Sequence, residues 1–223
     1  MLSVVIPTLD AEEGLIRTLA SLVPAAAEGV IREVVVVDGG SQDGTEKVAE
    51  AAGCQLLHVS GCWGEKVATG IAAARRSPWL MVLQPNILLE GEWFREVAAF
   101  ADRAERTGGA DRRAATFRIA FDAFGWQARL AESTIGVASS VFGLPLPQQG
   151  LVVSRRLWDR ARRDGPLRDH RHLVSRIGRR SIHVLRARAI AISTVTDGQS
   201  LPPGGAIARH ALAALGLPLR VTG

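Results

Sequence analysis

The chain has no tyrosine, only two cysteines and, among its 27 basic residues, lysine only at Lys47 and Lys66. Cys54 and Cys62 form no CxxC pair, and two thiols without supporting histidines make a poor metal site. They read as the thiols of a reduced, cytoplasmic protein. No apolar run approaches the length that crossing a bilayer needs. The apolar run at Leu2 has no positively charged segment before it, which reads against a cleavable signal peptide. Aromatic residues are few, at 5%. Neither an RNP-type aromatic motif nor zinc-finger spacing occurs, and the lone GxxG at Gly61 to Gly64 is too short to argue for an RNA clamp, so no nucleic-acid partner is expected.

What is present is 223 residues with 47% hydrophobic content, enough to bury one sizeable core. The formal charge is +5 and the isoelectric point near 10.4. The surplus gathers between Arg155 and Arg188. Guanidinium groups there could meet phosphate as a nucleotide diphosphate, a lipid headgroup or RNA, although a solvated surface is the commoner state of such residues.

The first half alternates strand and helix. Ser3 to Thr8 is a short β-rich run, and Glu12 to Leu22 carries apolar residues at helical spacing. Glu33 to Asp38 is apolar without alternation, as expected of a strand covered on both faces. A helix capped by Asp43 or Ser41 and reaching about Ala52, a strand at Cys54 to Ser60, a helix at Gly64 to Arg75 and a strand at Trp79 to Gln84 follow. This rhythm predicts an α/β fold with a mostly parallel central sheet and helices on both faces. Later the pattern loosens. Arg113 to Phe121 reads as a strand, Trp126 to about Phe142 as a helix, and a proline-rich loop leads into a short strand and the basic helix around SRRLWDRARR. Ser181 to Ser193 reads as one or two strands, and Gly204 to Leu215 as a short helix.

The most informative stretch is VVVVDGGSQDGT, Val34 to Thr45. A strand ending in Asp38 and followed by Gly39 and Gly40 lets backbone approach a flat ligand while a carboxylate accepts a hydrogen bond from it. An ordinary turn capping the next helix accounts for Ser41, Asp43 and Thr45 but gives no reason for Asp-Gly-Gly at the strand's end. GxGxxG is absent after the first strand, which speaks against a dinucleotide fingerprint.

Taken together, SVVIPTLDAEEGLIRTL and EVVVVDGGSQDGT resemble the opening of the family 2 glycosyltransferases, closest to their small, single-domain bacterial members. The resemblance runs over roughly residues 2–190. It implies a Rossmann-like GT-A domain over 1–223, with a nucleotide-binding half at 1–101, an acceptor half at 102–196 and a tail helix in 197–223. It also implies a nucleotide-diphosphate sugar donor and an acceptor hydroxyl. By position, Pro7, Thr8, Leu9 and Glu12 would line or border the nucleoside pocket, Asp38 would hydrogen-bond the base beside Gly39 and Gly40, and Asp43 would organise the loop. Where the family places a basic residue before the next helix, this chain has Trp63. Lys66, three residues on, could serve the phosphates.

The family's acidic motifs are exchanged. Asp-x-Asp, which binds a divalent metal, magnesium or manganese, is here Gln84-Pro85-Asn86, and neutral amides are poor ligands for a hard cation. Glu90 and Glu92 read as capping residues instead. Gly-Asp-Gln-Gly becomes Pro147, Gln148, Gln149 and Gly150 on the acceptor side. The Glu-Asp motif that supplies the general base becomes Asp169 and His170. Two accounts fit. In one, arginines such as Arg168, Arg171 or Arg176 neutralise the departing diphosphate, and His170 or Asp169 takes the acceptor's proton without a tightly bound metal. In the other, the chain is a degenerate member that binds a nucleotide or partner and transfers nothing. A lipid-linked acceptor is a further expectation: the basic helix would sit peripherally at the inner membrane face, with Leu157 and Trp158 dipping into it.

Overall fold

The computed structural model describes residues 1–121, 146–163 and 165–192. The expected helices around Trp126 and Gly204 lie outside them. The described elements run β1 (Leu2–Thr8), α1 (Glu12–Ala27), β2 (Ile31–Asp38), α2 (Thr45–Ala51), β3 (Gln55–His58), α3 (Trp63–Ala73), β4 (Trp79–Val82) and β5 (Ile87–Leu89). There follow α4 (Trp93–Arg106), β6 (Ala114–Phe121), β7 (Leu151–Ser154), α5 (Arg155–Arg162), α6 (His170–Ile177) and β8 (Ile182–Ala191).

All eight strands share one sheet, in the order β3-β2-β1-β4-β7-β6-β8-β5. The first four are mutually parallel. Their apolar sequences follow from position: every residue of β1 and of β4 is buried, because helices cover both faces. Side chains alternate between two cores. Val4, Ile6 and Val36 face Leu15 and Leu19 of α1, whereas Val5, Val35 and Val37 face Val67 and Ile71 of α3. The remaining strands make the sheet mixed. β7 runs antiparallel to β4 and β6, β8 lies parallel to β6, and β5 closes the far edge antiparallel to β8. The segment after Asn86 is thus a short strand, Ile87–Leu89. Of the expected strand or strands from Ser181, the described part forms a single strand, Ile182–Ala191.

This order creates a switch point. The chain winds outward from β1 to β2 and β3, then returns to place β4 on the other side of β1, leaving a crevice at the carboxyl ends of β1 and β4. Helix α1 fixes the crevice wall. A Cβ on Gly14 would lie 2.7 Å from the Pro85 carbonyl oxygen and 3.3 Å from Asn86 Cα, and the buried Thr18 hydroxyl accepts the Ile87 amide at 3.0 Å.

Two expectations need correction. Glu92 does stand at the N-cap of α4, where its carbonyl accepts the Arg95 amide, but its side chain makes no cap bond and pairs with Arg95 at 2.9 Å, and Glu90 pairs with Arg188 at 3.5 Å instead of capping. Leu157 and Trp158 are 2% and 1% exposed, buried under α5 in the second core, and neither is available to enter a membrane interface. The arginines of α5 are engaged as well. Arg156 pairs with Glu105, Arg160 with Asp111, and Arg155 donates to the carbonyls of Ile71, Ala74 and Ser77 at the end of α3.

Gly14→Ala tests the crevice wall. Overpacking against backbone costs about 1–3 kcal/mol, against about 1 kcal/mol gained in helix propensity. The urea midpoint should fall, and an unchanged or raised midpoint would show that the wall is not tight.

Candidate active site

Thr8, at the end of β1, and Asp38, at the end of β2, lie directly across the sheet from each other. Asp38 is 0% exposed and accepts four hydrogen bonds. Its Oδ1 takes the hydroxyls of Thr8 (2.9 Å) and Ser41 (2.5 Å), and its Oδ2 takes the amides of Gly40 and Ser41, both at 2.7 Å. Burial alone would raise this carboxyl, yet the bonds from Ser41, Gly40 and Thr8 together outweigh it and hold the group below its ordinary value. The turn this builds needs Gly40 at φ 98°. Asp38 therefore shapes the turn, and a base that sought its carboxylate would have to displace one of these donors.

A second set of bonds latches the loop after β1 to the loop after β2. Asp10 Oδ1 accepts the Gln42 amide and Ser41 Oγ accepts the Asp10 amide. Glu12 Oε2 accepts the Gly44 amide, and Asp43 accepts the amides of Glu12 and Thr45. Burial would also raise Asp43, but the Thr45 hydroxyl and these amides leave it lowered. Glu12 and Asp43 thus organise the loop. Pro7 is buried in β1, and Leu9 is 56% exposed at the rim.

Lys66 points into the same edge. It is 9% exposed, and Nζ donates to the Thr8 carbonyl at 3.0 Å. A Cβ on Gly39 would lie 2.1 Å from that Nζ, so the missing side chain of Gly39 is what admits the ammonium. Among the described residues Lys66 forms no ion pair.

Helix α6 meets α3 beside this cation. The Gly64 amide donates to the Arg168 carbonyl at 3.3 Å, and a Cβ on Gly64 would lie 1.9 Å from the Leu167 carbonyl oxygen. His170, 5% exposed, packs edge-on against Trp63, with ring centroids 5.8 Å apart. Burial lowers its imidazole from the ordinary 6.5 to about 4, against a smaller upward pull from Asp169. Asp169 is the N-cap of α6, accepting the His172 amide at 2.8 Å. Arg176 donates to the carbonyls of Ala161 and Gly165, tying α6 to the end of α5, whereas Arg168 and Arg171 are exposed.

Gln84 and Asn86 are half-buried at the crevice, and the Asn86 carbonyl accepts the Ile192 amide at 2.9 Å. As neutral amides on one short loop they do not make a carboxylate set for magnesium or manganese. Among the described residues, the trio Asp38, Glu46 and His58 brings ligand atoms within 4.8 Å of one another. The four bonds already made to Asp38 leave that trio a poor cation site. Gln148 is half-buried, but Gln149 is fully buried: Nε2 donates to the Phe117 carbonyl and Oε1 accepts the Leu146 amide, so its side chain ties the turn just before β7 to β6.

The described residues thus bring a glycine turn and the Lys66 ammonium to one edge of the sheet. Residues 3–121 match the family model described as Glycosyl transferase family 2. The chain belongs to that family. Solved structures similar to this glycosyltransferase include glucosyl-3-phosphoglycerate synthase from Mycobacterium tuberculosis. That match is 19% identical with a TM-score of 0.54, covering 100% of this chain and 82% of that one. They also include S. aureus TarS 1-349, 17% identical with a TM-score of 0.61, covering 86% and 60%. At these identities the likeness shows the shared GT-A fold. No curated protein sequence matches this glycosyltransferase significantly.

The sequence reading missed Gly14, Thr18 and Thr45 as builders of the site. Gly14 and Thr18 carried a usable signal, being one helical turn apart on the face that carries Leu15 and Leu19.

A pH series tests the buried imidazole. Because the folded value lies below the unfolded one, the unfolded chain binds the extra proton between pH 6.5 and about 4. The stability is complete above 6.5 and falls as pH drops through that window, whereas the share from Asp38 and Asp43, both lowered from 3.8, is lost at still lower pH. The thermal midpoint should decline across the window more steeply in the wild type than in His170→Phe, and equal slopes would contradict the burial of a neutral ring.

Proposed function

We propose that this glycosyltransferase takes its sugar from a nucleotide-diphosphate donor seated at the carboxyl ends of β1, β2 and β4, and transfers it to an acceptor hydroxyl without a tightly bound metal ion. The observation that carries this reading is Lys66. Among the described residues the largely buried Lys66 donates to one carbonyl and meets no carboxylate, so its ammonium has N–H bonds still to place. A diphosphate supplies the missing negative charge and accepts the remaining N–H bonds. The exposed Leu9 offers an apolar edge to the nucleoside. Gln84 and Asn86 can donate and accept hydrogen bonds to sugar or ribose hydroxyls at the crevice wall.

In the transfer, the acceptor oxygen forms a bond to the anomeric carbon and the bond from that carbon to the phosphate oxygen breaks. The electron pair leaves with the nucleoside diphosphate, whose charge Lys66 offsets. His170, neutral at pH 7, offers an unprotonated nitrogen to the acceptor's proton. The acceptor's identity, lipid-linked or otherwise, is left to the assay.

Calorimetry with a panel of uridine, guanosine and thymidine diphosphate sugars, in chelator and in manganese, tests the reading. At least one donor should bind in chelator. Lys66→Met should weaken it about tenfold to a hundredfold, the worth of one charge-assisted hydrogen bond at roughly 1.5–3 kcal/mol. No binding by any donor, or binding that needs manganese and ignores Lys66→Met, would overturn it. Binding without turnover would instead mark a nucleotide-binding module.

A further inference from the structure

A cavity of about 460 Å³ opens beside α6, lined by Pro166, Arg168, His172 and Arg176. Its polar lining is three basic side chains and no carboxylate. Asp169, next in the chain to Arg168, turns away to cap α6, with Oδ1 on the His172 amide at 2.8 Å. Arg176 is held in place, since its Nη1 donates to the carbonyls of Ala161 and Gly165 at 3.0 and 2.6 Å. Arg168 is exposed and forms no ion pair among the described residues, in contrast with Arg156 and Arg160 of α5.

His172 completes the lining one helical turn before Arg176. It is half-buried, and its Nδ1 is buried with no hydrogen-bond partner. An orphaned N–H is rarer in folded proteins than a bare acceptor, so the proton of the neutral ring belongs on Nε2. With Nδ1 closed off, that N–H is the polar group the imidazole has for the cavity.

We propose that Arg168, His172 and Arg176 form a seat for a small oxyanion, a phosphate or carboxylate group carried by the acceptor; the acceptor role rests on the donor reading at Lys66, whereas the seat does not. The lining selects the ligand by charge. Two guanidinium groups and an imidazole N–H offer donors and no acceptor, which suits an oxyanion, forgoes the charge-assisted part of the bond with a neutral hydroxyl and repels a cation. A guanidinium already fixed by two carbonyls also loses little freedom when the anion arrives. The seat is tied to the donor side without sharing its counter-charge. The Gly64 amide donates to the Arg168 carbonyl at 3.3 Å, which joins the loop carrying Arg168 to the first turn of α3, the helix that carries Lys66.

The test uses the full chain, with inorganic phosphate and acetate as probes, followed in proton–carbon spectra of the five histidine rings. The His172 signal is identified by its loss in His172→Ala. At least one probe should move that signal selectively and to saturation; tighter saturation by phosphate marks a phosphorylated acceptor, and by acetate a carboxylate. Arg168→Ala should weaken the binding about tenfold, the scale of one charge-assisted hydrogen bond. Arg168→Lys should recover part of the loss, and Arg179→Ala, which removes the same charge from an exposed residue outside the cavity, should leave affinity within about twofold. A His172 signal that neither probe saturates, or equal losses in Arg168→Ala and Arg179→Ala, would overturn the seat. UDP separates the seat from the donor site: with UDP bound, the probe should still saturate the His172 signal, and Lys66→Met should leave its affinity within about twofold. Displacement of the probe by UDP would assign the cavity to the donor diphosphate and overturn the acceptor role. Failure of UDP to bind while the probe saturates would remove the donor reading and leave the seat standing.

Discussion

The four hydrogen bonds that Asp38 accepts join the end of β1 to the turn after β2, and the rest of the crevice hangs from that joint. Thr8 is held by its hydroxyl, which leaves its carbonyl oriented to receive both the Gly39 amide and the Lys66 ammonium at 3.0 Å. Gly39 has no side chain to bar that ammonium, and Gly40 takes the positive φ that brings two amides onto one carboxylate oxygen. The carboxylate at the strand's end holds its own turn through these four bonds. The group it presents to the crevice is indirectly a cation.

That inversion fits the exchanges along the opposite wall. Carboxylates at positions 84 and 86 would need a divalent ion between themselves and a diphosphate. Amides at both positions remove the repulsion between carboxylates. In the proposed donor complex the Lys66 ammonium is the charge that faces the phosphates. The arginine surplus does not compete for this role as strongly as its number suggests. Arg156 and Arg160 are neutralised by Glu105 and Asp111, while Arg155 and Arg176 serve carbonyls at helix ends. Charge counted along a sequence overstates what a folded surface offers.

The parallel half of the sheet was legible in the residues because its strands are buried on both faces, and unbroken apolar runs such as Val34 to Val37 have no other stable home. The antiparallel half was read less well. Among the described residues Ile87 to Leu89 pairs only with the distant Ala189 to Ala191, so no local period marks it as a strand. Within the site, the glycines and Asp38 could be picked out by type and spacing, but their partners could not. Whether a carboxylate reaches outward or folds back onto its own turn depends on side-chain directions fixed only by packing. The same holds for Leu157 and Trp158, which look surface-seeking beside so many arginines and are core residues because α5 turns that flank to the sheet. His170 stood out as an exchanged residue, yet its contact with Trp63 joins elements 107 positions apart and has no trace in local sequence.

The central claim is that one ammonium, held over Gly39 by the joint at Asp38, replaces a metal-bound carboxylate pair as the counter-charge of a donor diphosphate. The most direct measurement is a crystal structure of the chain soaked with a nucleotide-diphosphate sugar in the presence of manganese. The account predicts a phosphate oxygen within hydrogen-bonding distance of Lys66 Nζ and no manganese peak between the phosphates and Asn86. An anomalous manganese peak at that position, or a diphosphate lying away from Lys66, would contradict it.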